Sequence, residues 1–71
     1  MPSISFKKEI NRFLHGLSTR EQGMFVQRYF YLESIKSIAR YHGITENAVS
    51  VNLNRVRKQL KQYLSERGYN L

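Results

Sequence analysis

A chain of 71 residues allows one small domain, near the lower size at which a protein buries enough apolar surface to fold without help. It has no cysteine, which excludes a disulfide framework, a thiolate zinc site and a cysteine nucleophile, so its stability has to come from packing. Twelve Lys and Arg against five Asp and Glu give a net charge of +7, an excess that favours a polyanionic partner, nucleic acid first, although small soluble domains also carry net charge for solubility alone.

In chain order, Phe6, Ile10, Phe13, Leu14 and Leu17 recur at helical spacing, with Lys7, Lys8, Glu9 and Arg12 on the other faces. They predict a first amphipathic helix over about residues 4–15. Ser18-Thr19-Arg20-Glu21 fits a capping box that opens a second helix, predicted over about residues 19–31. The apolar content of that helix, Met24, Phe25, Val26, Tyr29, Phe30 and Leu32, is wider than one stripe. It is expected to pack against two neighbours or to leave an apolar patch, and to be the central helix of the fold. Gly23 inside it reads as a tolerated weakness costing about 1 kcal/mol relative to alanine. Ser34 caps a third helix, about residues 35–42, that carries Ile35, Ile38 and Ala39 and closes where Gly43 can turn left-handed. Ile44 bridges to Thr45, a good N-cap, and Glu46 suits the positive end of a helix dipole. Val49, Leu53, Val56, Leu60 and Leu64 then form one inward stripe on a last helix over about residues 46–66. No alternating strand pattern appears. The expected fold is all-α, a single four-helix domain over residues 1–71 that contains a helix-turn-helix with a long, basic last helix.

A short helix, a glycine turn and a longer basic helix form the layout of a DNA reader. Away from the apolar stripe stand Asn47, Ser50, Val51, Asn54 and Arg55, candidate base contacts. Arginine can bond guanine bidentately, asparagine can do so with adenine, and valine can touch a thymine methyl. Lys36, Arg40, Arg57, Lys58 and Lys61 are candidate phosphate contacts, which fix register without carrying sequence information. The plain alternative is a solvated helix face whose charges serve solubility. The basic residues Arg55, Arg57, Lys58, Lys61 and Arg67 crowd the end of the chain, where Glu66 is the one acid. His15 and His42 lack carboxylate or cysteine partners at metal-ligand spacing, and no nucleophile with its base, glycine-rich phosphate loop or paired carboxylates can be read. No metal, cofactor or catalysis is therefore expected. No apolar run approaches the roughly 20 residues of a membrane span, and the N-terminus lacks the apolar core of a secretory signal, so a soluble cytoplasmic protein without a membrane is expected.

With the elements placed, residues Leu17 to Leu64 resemble the C-terminal domain of bacterial sigma factors, the part that reads the minus-35 promoter element, and most closely the extracytoplasmic-function type. The resemblance rests on Leu17-Ser18 opening a helix, Arg28-Tyr29-Phe30 near its end, Ser34 through Ile38-Ala39, Gly43-Ile44-Thr45-Glu46, and then Val49, Leu53, Arg55, Arg57 and Leu60. It implies double-stranded promoter DNA and core RNA polymerase as partners, with Arg55 at a position the family commonly turns toward the promoter. It also implies that the region around the second and third helices docks an apolar tip of the polymerase β subunit, and that an anti-sigma factor can cover overlapping surface. Phe30, Tyr31 and Leu32 are then candidate partner contacts, with ordinary packing as the alternative. Ser37 stands where such sigma factors usually have glutamate, Asn47-Ala48 where they have a small residue and threonine, and Ser50-Val51-Asn52 in a run that usually includes Lys or Arg. Fewer charges there imply a gentler salt dependence, by about one counterion for each phosphate left unpaired. No second sigma domain accompanies this one, and the chain starts Met-Pro just before its first helix, as expected of an excised or truncated sigma domain acting as a monomer. Other readings stay open. One is an interaction module that docks polymerase or an anti-sigma factor with only nonspecific DNA attraction. Another is a small stand-alone helix-turn-helix regulator; a dimeric one has only the short Gln62–Arg67 extension from which to build a coiled coil.

Overall fold

Three hydroxyl side chains mark where helices begin. The Ser18 hydroxyl accepts from the Glu21 amide at 3.2 Å, the Ser34 hydroxyl from the Ser37 amide at 3.0 Å, and the Thr45 hydroxyl from the Ala48 amide at 3.0 Å. Each replaces a bond that the first turn cannot make for itself, an effect of about 1 kcal/mol per cap. At Ser18 the box is complete, because its own amide donates to Glu21 Oε1 at 3.4 Å. The resulting elements in the computed structural model are α1 (Pro2–His15), α2 (Thr19–Tyr29), α3 (Ile35–His42) and α4 (Glu46–Glu66). The structure describes the backbone of residues 2–69 and the side chains of residues 6–69.

The helix ends follow equally local chemistry, with one departure. Gly43 sits at φ 67°, with Ile44 N donating to the Ala39 carbonyl at 3.0 Å and Gly43 N to that of Arg40 at 3.3 Å, a Schellman closure. α2 stops at Tyr29 rather than residue 31. Phe30 caps it, the Phe30 and Tyr31 amides both donate to the Val26 carbonyl, and Leu32 takes the left-handed conformation at φ 56°. The apolar run Phe30-Tyr31-Leu32 imitates a continuing helix, whereas the backbone turns there to begin α3.

The core is two clusters strung along α4. Met24, Ile38, Ala39, Val49 and Leu53 form the first, with Ile35 and Ile44 against it. Leu14, Phe25 and Val56 form the second, with Ile10, Phe13, Leu17 and Leu60 around it. α2 does serve two neighbours, through Met24 in one cluster and Phe25 in the other. The central helix is nevertheless α4, because α1, α2 and α3 all pack on it. Its stripe from Val49 to Leu64 is long enough to receive all three, and α2 is about half as long.

α1 is fastened to the far end of α4 by a polar and aromatic cluster. The Tyr63 hydroxyl donates to Glu9 Oε1 at 2.9 Å, Arg67 Nε lies 3.3 Å from the same oxygen, and the Arg67 guanidinium stacks 3.6 Å from the Tyr63 ring centre. Phe6 and Phe13 pair with Tyr69 and Tyr63, ring centres 5.3 and 5.4 Å apart. Arg67, expected in the basic extension of the reading helix, is exposed but paired with Glu9 and Tyr63. Desolvation, followed by the bond to Glu9, holds the Tyr63 phenol above its ordinary pKa.

Candidate nucleic-acid interface

The Gly43 turn and the Thr45 cap set α4 across α3, with Ile44 packed on the first cluster between them. Asn47, Ser50, Val51, Asn54 and Arg55 are all exposed, as are Lys36 and Arg40 on α3 and Arg57, Lys58 and Lys61 on α4. They do not share one face. At about 100° per residue, Asn47, Val51, Asn54 and Lys58 fall opposite the buried line of Val49, Leu53 and Val56. Val51, Asn54, Arg55 and Lys58 border one concavity along the outer side of α4. Ser50 and Arg57 turn to the flank, where they border a groove with Arg28, Tyr29 and Ile35. Lys61 and Arg57 rim an apolar depression floored by Phe25, Tyr29 and Leu60.

Two of the outward side chains are held in place. Arg57 Nη2 donates to Asn54 Oδ1 at 3.3 Å, so Asn54 must exchange that bond to pair with adenine, which needs its oxygen as well as its amide nitrogen. Arg55 is turned to the other flank, where its Nη2 lies 2.7 Å from Glu21 Oε2. Burial pulls the Glu21 pKa upward, but hydrogen bonds from Arg55 and Ser18 and the arginine charge outweigh it, leaving the carboxyl below its ordinary range. Glu21 is legible in the sequence as a capping residue; its second partner, 34 residues along the chain, is not. Asn52, within the run that departs from the usual sigma-factor pattern, is half-buried with its Oδ1 unpartnered among the described residues.

α2 and α3 are locked together behind this face. Arg20 Nη2 donates to the His42 carbonyl at 3.3 Å, His42 Nε2 meets Gln27 Oε1 at 2.7 Å, and Arg28 Nη1 donates to the Glu33 carbonyl at 2.9 Å. His42 thus joins two helices, beyond the helix-end role its position predicts, while His15 bonds the Asn11 carbonyl at 2.7 Å. Among the described residues no three His, Asp or Glu gather as metal ligands, and no helix is long and apolar enough to cross a membrane.

Residues 7–60, from Lys7 in α1 through Leu60 in α4, match the family described as Sigma-70, region 4. The chain belongs to that family. Membership makes it a DNA-binding domain of the sigma-factor type, with DNA and RNA polymerase as the partners such domains engage in general. No curated protein and no solved structure matches the chain.

The region 4 domain presents a second surface at the α2–α3 connection. Phe30 is 58 % exposed, Tyr31 71 % and Leu32 81 %, so the apolar run is a patch and not packing. Tyr41, outside the candidate partner contacts Phe30, Tyr31 and Leu32, is 76 % exposed and borders the same groove as Tyr31, Gln27 and His42.

Proposed function

We propose that this region 4 domain reads promoter DNA sequence-specifically through α4, as the minus-35-reading C-terminal domain of a sigma factor of the extracytoplasmic-function type. The observation that carries the reading is a capped helix, packed through Val49, Leu53 and Val56, whose opposite side offers Asn47, Val51, Asn54 and Lys58 to solvent, with Arg55 exposed on the adjoining flank. An α-helix fits the major groove, where amide, guanidinium and methyl groups discriminate base pairs. Lys36 and Arg40 from α3, with Arg57, Lys58 and Lys61, neutralise phosphates and set the register. Ser50, on the flank, approaches the backbone as α4 enters the groove. The domain performs no reaction and works as a cytoplasmic monomer; RNA polymerase, held alongside, starts transcription.

The exposed Phe30, Tyr31 and Leu32, continued by Tyr41, support a second contact surface for core RNA polymerase, or for an anti-sigma factor that competes for it. Contiguous exposed apolar patches mark interaction sites.

The test is selection of bound duplexes from a random DNA pool by the full chain fused to a dimerising tag, since one reading helix alone makes few contacts. A short enriched motif, weakened by Asn54→Ala and by Asn47→Ala, is the expected result. Salt-sensitive binding to every duplex without enrichment would leave a docking module with nonspecific DNA attraction.

A further inference from the structure

We infer that Glu21, in the capping box of α2, is a positioning residue that orders Arg55 for base discrimination. The inference rests on promoter reading by α4 and names a specificity determinant for it outside the reading helix.

Capping alone does not account for this carboxylate. A capping box needs one side-chain oxygen at its third helical position, and glutamine serves as well as glutamate. Here Oε1 meets the Ser18 amide and hydroxyl, at 3.4 and 3.2 Å. Oε2, the oxygen that the cap leaves over, lies 2.7 Å from Arg55 Nη2. With both oxygens engaged, the cap holds the carboxylate toward the arginine.

The geometry leaves the arginine available. Its side chain is 56 % exposed against 22 % for Glu21, and its one hydrogen bond among the described residues is through Nη2 to Glu21. Arginine carries five N–H donors in a rigid fork. Arg55 borders the outer concavity of α4 with Val51, Asn54 and Lys58, so the bridged arginine stands beside candidate base readers. A long side chain fixed before binding loses less freedom on binding, an advantage of about two- to tenfold in affinity. It also meets a guanine edge in one orientation, so the advantage is withheld from other bases. The bridge further neutralises a carboxylate that would otherwise repel the phosphates near it.

Glu21→Gln is the informative substitution, because it preserves the capping box and removes the charge that holds Arg55. The full chain, fused to a dimerising tag, is used for duplex selection and then for fluorescence anisotropy on the selected duplex and its single-base variants. Arg55→Ala is expected to erase preference at one base position, by roughly 5- to 150-fold. Glu21→Gln is expected to cut the preference at that same position by about two- to tenfold, with only the small loss of stability that an exposed ion pair carries, and to add nothing to the loss of preference when combined with Arg55→Ala. Ser34→Ala removes a cap remote from Arg55, and is expected to lower stability while leaving every base preference intact. Unchanged preference in Glu21→Gln, or an equal effect of Glu21→Gln with and without Arg55, overturns the positioning role while promoter reading stands. If the wild-type chain enriches no motif, both fall together.

Discussion

Leu32→Gly should make the domain more stable, although it deletes a large apolar side chain. Leu32 is in the left-handed region at φ 56° and 81 % exposed, so it bears backbone strain and gains little from burial. An L-residue with a Cβ pays about 1–2 kcal/mol in that conformation, which glycine adopts freely. Glycine in turn gives the unfolded chain more freedom, an opposing effect of about 0.4–1 kcal/mol. The difference is a net gain of about 0.5–1 kcal/mol, or a rise of roughly 2–8 °C in the unfolding midpoint for a domain this small. Thermal and urea unfolding followed by circular dichroism would measure it. Leu32→Ala is the control, because alanine keeps the Cβ and hence the strain, and it should lie near the wild type. Equal stabilisation by alanine and glycine would place the effect in the exposed apolar surface, and a loss of stability in Leu32→Gly would refute the strain argument outright. The same variant should bind core RNA polymerase more weakly if the Phe30, Tyr31 and Leu32 patch docks there, since the stabilised fold presents a smaller apolar surface to its partner.

Gly23→Ala should also stabilise, by up to about 1 kcal/mol, because a Cβ there meets only His42 Cε1 at an ordinary 3.7 Å; a fall in the urea midpoint would show that α2 needs the glycine. The Glu21 carboxyl is held below its ordinary pKa by Arg55 and Ser18 against the opposing pull of burial, so its stabilisation is complete above the ordinary glutamate range and disappears as pH falls toward the folded value. Urea midpoints across the carboxylate range should therefore drop less on acidification in Arg55→Ala than in the wild type, and equal slopes would count against the pairing. Lys58→Ala, on the exposed side of α4, should weaken binding to all duplexes alike and lower the salt slope by about 1. Altered base preference with an unchanged slope would move Lys58 from the phosphates to the bases.

Whatever is decided within a few residues is legible in the sequence. Ser18, Ser34 and Thr45 cap because a hydroxyl reaches an amide three positions on, and Gly43 closes α3 because it tolerates a positive φ; α3 and α4 accordingly begin and end where the sequence predicts. The end of α2 falls short of its predicted position because its left-handed residue is Leu32, which carries none of the signal that a glycine gives. The breadth of apolar residues on α2 suggests a central helix, but centrality depends on how many partners a stripe can receive, which favours the longer α4. Least legible are pairings between distant segments: Glu21 with Arg55, and Glu9 with Tyr63 and Arg67. No spacing rule announces them, and they engage two of the arginines near the end of the chain, Arg55 and Arg67.

The division of the core has a consequence for how the domain opens. The cluster that supports the first turns of α4 draws no described residue from α1, whereas the second depends on Ile10, Phe13 and Leu14. Detaching α1 would expose Val56 and Leu60 while leaving Val49 and Leu53 covered by Met24 and Ile38. Amide hydrogen exchange should then divide one continuous helix into two cooperative units, with its N-terminal half able to stay shut through sub-global openings of the other. A polypeptide attached before α1 could pull on that helix and still leave the first turns of α4 in register.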